Sequence, residues 1–167
     1  MREMTKKSLN EAFAGESMAC MKYTAFSEAA ARDGLANVSR LFKAIAYAEQ
    51  VHATNHAKSL GLVGATEENL KAAIEGENFE VDEMYPAYDA IAGLQGEEGA
   101  KRSIHYAVGA EKIHAGLYQE AAQAVSGGKD ADMSEIYICP VCGFTRVGKP
   151  PERCPVCKVP SEKFKKF

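Results

Sequence analysis

Residues 44–53 read AIAYAEQVHA and residues 110–115 read AEKIHA, and these two stretches decide the fold. Each carries a Glu-x-x-His pair, Glu49 with His52 and Glu111 with His114. On a helix three residues make about 300° of rotation, so both side chains of a pair lie about 60° apart on one face and can chelate together. The surrounding residues supply that helix. A stripe at steps of three and four runs Val38, Phe42, Ile45, Glu49, His52, His56, and another runs Ile104, Val108, Glu111, His114, Tyr118. An earlier stretch gives Leu9, Phe13, Glu16, Cys20, Tyr23, and a fourth carries Glu80 and Glu83 on the face of Ala87. Each expected helix thus places a carboxylate in the stripe that should face a core. Unpaired carboxylates in a dry interior cost several kcal/mol or more, so a compensating positive charge is required. Lysine and arginine are missing from the middle of these stripes, which leaves metal ions.

The two halves of this pattern echo each other. Glu16 precedes Glu49 by 33 positions and Glu80 precedes Glu111 by 31, so a Glu helix followed by a Glu-x-x-His helix occurs twice. Four helices with this ligand set are the signature of ferritin-like di-iron and di-manganese bundles. His105 belongs to no carboxylate pair on its face, and His56 continues the stripe one turn beyond His52, where it could support a ligand; neither is expected to be a ligand itself, and Cys20, on an apolar face, reads as a small buried hydrophobe.

Punctuation sets the boundaries. Helices are expected over 5–33, ended by Gly34, and over 37–60 with Asn37 as N-cap and Gly61 beyond. A crossover over 62–76, with a shorter helical pattern after Thr66, leads to helices over 77–94 and 97–125. Pro86 should bend or loosen the third helix. The small polar run GGKDADMS, 127–134, then separates this region from one of different composition.

That last region holds Cys139-Pro-Val-Cys142 and Cys154-Pro-Val-Cys157, two Cys-x-x-Cys knuckles that suit a tetrahedral tetrathiolate site. The spacing fits zinc or a single iron. With β-prone pieces such as 135–139 and little to pack, the tail needs a metal to hold it. Among 167 residues with a net charge of -3 there is no basic stripe, so nucleic acid is a poor partner. No leader is evident in MREMTKKSLNEAF, and no run approaches the roughly 20 apolar residues of a membrane span, so a cytoplasmic protein away from membranes is expected.

The segments AFAGESMA (12–19), AIAYAEQVHA, NFEVDEMYP (78–86), AEKIHA, and YICPVCGF (137–144) through CPVC (154–157) together resemble the rubrerythrins, essentially end to end. The resemblance implies an all-α ferritin-like four-helix bundle with a di-iron site over 1–130 and a small C-terminal rubredoxin-like metal-binding β domain over 134–167. It implies three irons per chain, two on carboxylates and histidines and one on Cys139, Cys142, Cys154 and Cys157. The activity implied is that of a non-haem peroxidase in oxidative-stress protection. Hydrogen peroxide would be reduced to water with electrons from NADH, delivered by a carrier such as rubredoxin or an NADH-rubredoxin oxidoreductase. A homodimer or tetramer would bring one chain's cysteine site near its partner's di-iron site.

By the same resemblance Glu49 and Glu111 bridge the irons, Glu16, Glu80 and His114 are terminal ligands, Glu83 and His52 alternate on one iron, and Tyr23 and Tyr88 hydrogen-bond ligand carboxylates. Ferroxidase or iron storage is the competing enzymatic function, and a zinc ribbon on a helical scaffold the competing binding function. One departure stands out: Lys158 follows Cys157 where the family usually has glycine.

Overall fold

The structure is a computed structural model that describes residues 1–167. Its helices are α1 (Glu3–Arg32), α2 (Ala36–Ser59), α3 (Thr66–Phe79), a π-helical turn (Glu80–Met84), α4 (Tyr85–Gln95) and α5 (Glu98–Ser126). Three short strands follow, β1 (Ile136–Ile138), β2 (Thr145–Val147) and β3 (Lys165–Lys166). The chain is therefore all-α with a small C-terminal β region, the expected class. Packing divides it into two compact units, Met1–Gly64 and Ala65–Phe167.

The first unit is an α1–α2 hairpin. Gly34 at φ +75° turns the chain, and Leu35 N–H bonds the Ala30 carbonyl at 2.8 Å, satisfying a helix-end acceptor. This tight turn makes Leu35 the N-cap of α2, in place of Asn37, whose side chain instead accepts from Arg40 inside the helix. The buried positions are small, Ser27, Ala30, Ala46 and Ala53. Ser27 Oγ donates to the Ser39 carbonyl at 2.8 Å, tying the helices together. Tyr23, Phe26 and Phe42 cluster beside it, with Phe26 edge-on to Phe42 at 5.5 Å.

In the second unit α3, the π turn and α4 form one uninterrupted helical run over 66–95. The third helix thus begins well before residue 77, because nothing between Thr66 and Glu77 breaks it: Ala65 N–H is capped by the Glu68 carboxylate at 3.0 Å and Gly76 is tolerated mid-helix. The effect of Pro86 is a widened turn. Proline has no N–H and its ring would collide with the carbonyl four residues back; the π turn ends with Tyr85 N–H on the Glu80 carbonyl, five back, and relieves this just before Pro86.

The strands form an antiparallel sheet in the order β2-β1-β3, with Ile138 opposite both Thr145 and Lys165. The buried centre is Cys139, Cys142 and Cys154, with Phe144, Val159, Phe164 and Tyr106 of α5 packed around it. The 127–134 linker therefore lies inside the second unit. α5 passes so near the second knuckle that a Cβ on Gly109 would sit 2.9 Å from Val156 Cγ2.

Because Ser27 is 7% exposed and hydrogen-bonded across the hairpin, Ser27→Leu should overpack that contact by about 1–3 kcal/mol. The expected outcome is a lowered urea midpoint; an unchanged midpoint would show that the hairpin does not depend on this close approach.

Candidate metal centres

Three groups of side chains bring metal-binding atoms within 4.8 Å of one another: Glu16, Glu49 and His52; Glu77, Glu111 and His114; and the four cysteines 139, 142, 154 and 157. In the hairpin, α1 contributes Glu16 and α2 the pair Glu49 and His52. His52 Nδ1 lies 2.9 Å from Glu49 Oε2 and 3.7 Å from Glu16 Oε1. The glutamates are partly buried, while the His52 side chain is 54% exposed.

In the second unit, α5 presents Glu111 and His114, whose Nδ1 and Oε2 are 2.6 Å apart. The third member is Glu77, with Oε1 3.9 Å from His114 Nδ1. Burial, then the hydrogen bond to Glu111 and its charge, push the Glu77 carboxyl up to about 7, against the lowering effect of His114. Burial and Glu111 also raise the Glu80 carboxyl, so Glu80 feels the same group without joining the close trio. Glu83 is exposed and belongs to neither trio.

Glu77 was not singled out from sequence, although a signal existed: it stands three residues before Glu80 and shares its helix face. Tyr85 was also missed. Burial and the charges of Glu80, Glu111 and Glu77 raise its hydroxyl pKa, which places it among the carboxylates. Tyr88 is 51% exposed, and Tyr23 packs against Phe26 and Phe42. His105 rests beside the Tyr106 ring, away from both trios.

In the cysteine group the sulfur pairs Cys139–Cys157 and Cys142–Cys154 are each 3.4 Å apart. That is far beyond a disulfide bond of about 2.05 Å and near the roughly 3.8 Å edge of a tetrahedron with metal–sulfur bonds of about 2.3 Å. The two knuckles repeat one hydrogen-bond pattern. Gly143 N–H bonds the Cys139 carbonyl at 3.0 Å, and Lys158 N–H the Cys154 carbonyl at 2.9 Å. Gly143 has φ +77° and Lys158 φ +65°, the one non-glycine residue in that region. Burial raises the Cys142 thiol pKa, whereas for Cys154 the effect of burial is outweighed by the N–H groups of Cys157 and Val156, and its pKa is lowered.

The cysteine module and the Glu111 trio meet within this unit. His114 Nε2 is 2.7 Å from Thr145 Oγ1, at the start of β2.

Carboxylate–histidine sets on paired helices, together with a tetrathiolate module on a three-stranded sheet, define the class of ferritin-like di-iron proteins that carry a rubredoxin-like domain. The family model described as rubrerythrin matches residues 7–122, and that described as rubrerythrin, rubredoxin-like domain matches residues 137–165. The chain is 43% identical to "Rubrerythrin-2" of Clostridium acetobutylicum, over 98% of this chain and 97% of that protein. It is 33% identical to "Nigerythrin" of Nitratidesulfovibrio vulgaris, over 96% of this chain and 85% of that one. Among solved structures, nigerythrin in a partially reduced state superimposes with a TM-score of 0.58 at 31% identity, covering 98% of this chain and 86% of that one. The chain belongs to the rubrerythrin family.

Two outcomes follow from the geometry. Replacing Glu77 by alanine should weaken divalent-metal binding at the Glu111 trio by about 10-fold or more, read by metal titration; unchanged binding would remove Glu77 from the site. A non-glycine residue in the left-handed region costs on the order of 1–2 kcal/mol, so Lys158→Gly should raise the thermal midpoint of protein with metal on the four cysteines.

Proposed function

We propose that the protein is a peroxidase that reduces hydrogen peroxide to water, with electrons from NADH passed through a carrier protein and then through the chain's own cysteine-bound iron. The observation that carries this reading is the packing of a tetrathiolate module against the helix that bears Glu111 and His114. Zinc has no redox chemistry to offer there, whereas iron on four thiolates relays single electrons.

The donors fit two irons among the carboxylates and histidines and one on sulfur, three per chain. Hard carboxylate oxygens and imidazole suit non-haem iron, and four thiolates suit a single iron in tetrahedral geometry. In this reading Glu49 and Glu111 would be the shared ligands of the iron pair, Glu16, Glu80 and His114 terminal ones, and Glu83 and His52 alternative ligands to one metal, with Glu77 added near Glu111. The iron pair, when bound, supplies the two electrons that, with two protons, turn one peroxide into two waters. The chain's own residues set the conditions. Glu111 is held against Glu77 and His114, and burial, with the charges of these carboxylates, raises the Tyr85 hydroxyl pKa and keeps it protonated near them. A largely apolar cavity of about 310 Å³ next to His114, lined by Leu70, Leu117, Ile138 and Thr145 among others, favours a small uncharged oxidant over a charged one.

No helix is long and apolar enough to cross a membrane; the setting proposed with this function is the cytoplasm. Exposed Met18, Met21 and Leu41 on the hairpin support self-association into a homodimer or tetramer.

The test uses full-length protein with iron in the carboxylate sites and either iron or zinc on the cysteines. The iron-loaded form should consume peroxide in the steady state with NADH and a carrier protein. The zinc form should oxidise once after chemical reduction and then stop. Equal turnover by both would end the relay assignment, and iron oxidation without NADH-driven turnover would favour a ferroxidase. Glu111→Ala should lose carboxylate-site iron while keeping the visible absorption of the cysteine site; full retention of three irons would overturn the bridging role.

A further inference from the structure

Thr145 is 5% exposed, and its hydroxyl makes two contacts, to His114 Nε2 at 2.7 Å and to the Gly143 carbonyl at 3.0 Å. A threonine hydroxyl has one proton to donate. The carbonyl can only accept, so that proton points to Gly143, and at the other contact His114 Nε2–H is the donor. A neutral imidazole that carries its hydrogen on Nε2 has its lone pair on Nδ1. That is the nitrogen facing Glu111 Oε2 at 2.6 Å and Glu77 Oε1 at 3.9 Å. Thr145 thus engages Nε2 and leaves Nδ1 as the atom that meets a cation placed between the two carboxylates, which presets His114 as a metal ligand.

Thr145 in turn is placed by the cysteine module. It follows Cys142 by three residues, pairs with Ile138 in the sheet, and comes directly after Phe144, whose carbonyl accepts from Cys139 N–H at 2.9 Å. The module is seated on α5 by close contacts of glycine, Gly109 against Val156 and Gly143 against Ala110.

We propose that Thr145 is a positioning residue that presents His114 Nδ1 to the Glu77–Glu111 pair, making the affinity of this trio for a divalent cation depend on the folded, docked cysteine module. The inference rests on the reading that this trio binds metal.

The experiment titrates Mn2+ into full-length protein whose cysteine site is filled with zinc, following free Mn2+ by electron paramagnetic resonance. Thr145→Val, which keeps the shape and removes the hydroxyl, should weaken Mn2+ binding by about 10- to 100-fold, and Thr145→Ser should restore it to within a few-fold. Before Mn2+ is added, histidine 15N shifts should show a proton held on His114 Nε2 in the parent and a lower Nε2–H population in Thr145→Val. Gly109→Leu, which forces α5 from Val156 without touching a ligand, should weaken Mn2+ binding in the same way. Parent-like affinity and parent-like 15N shifts in Thr145→Val would overturn the positioning role while leaving the metal reading intact. Failure of the parent protein to bind any Mn2+ would remove both together.

Discussion

Glu111 is the group around which the second unit is organised. Its carboxylate sits 2.6 Å from an imidazole nitrogen and hydrogen-bonds a second carboxylate, Glu77, and no lysine or arginine is ion-paired to either. Such an arrangement is unfavourable without a proton or a cation inside it, and the raised Glu77 pKa is the protein's response when only protons are available. The hairpin repeats the theme with Glu16, Glu49 and His52, more open to solvent, and there the carboxylates have less desolvation to overcome. In the second unit the docking of the cysteine module on α5 adds a fixed contact to this group, from Thr145 to His114.

The cysteine module shows how a unit too small for its own core acquires one. Its buried centre consists of sulfur ligands, and its remaining apolar cover comes partly from Tyr106 of α5 and from the contact of Val156 with Gly109. Glycine at 109 is required by that approach, since a side chain there would meet Val156 first. The pairing of Gly143 with Lys158 at equivalent positions of the two knuckles shows that the backbone demands a left-handed residue in both. At the second knuckle the lysine side chain partly compensates, its Nζ donating to the Pro155 carbonyl at 2.7 Å.

Much of this was legible from residues alone, because the signals were local. Glu49 with His52 and Glu111 with His114 share faces by helical period, Gly34, Gly61 and Gly96 mark helix ends with positive φ, and the knuckles identify themselves by spacing. What escaped needed tertiary information. The extension of the third helix back to Thr66 depends on a cap from Glu68, and the π turn is an adjustment to Pro86 that periodicity cannot place. Glu77, Glu80 and Glu83 recur every three residues, so spacing alone does not tell which of them stands by Glu111 once the π turn shifts the helical phase from Glu80 on. The His114–Thr145 contact joins residues 31 positions apart, beyond any local pattern.

Under the proposed relay this contact also bears on how electrons would reach metals at the carboxylates. The resemblance that first suggested the function implies that a chain's cysteine site serves a partner's iron. Here a path runs within one chain, from Cys142 through the backbone of Gly143 and Phe144 to Thr145, and then across one 2.7 Å hydrogen bond to His114. The covalent part of this route is long, since it follows the main chain from Cys142 to Thr145, and only the last step to His114 is a short contact. If Thr145 orients the ligand as proposed, it is also the last link of that path, so the geometry that would prepare His114 for metal and the geometry that connects it to the cysteine module are one arrangement.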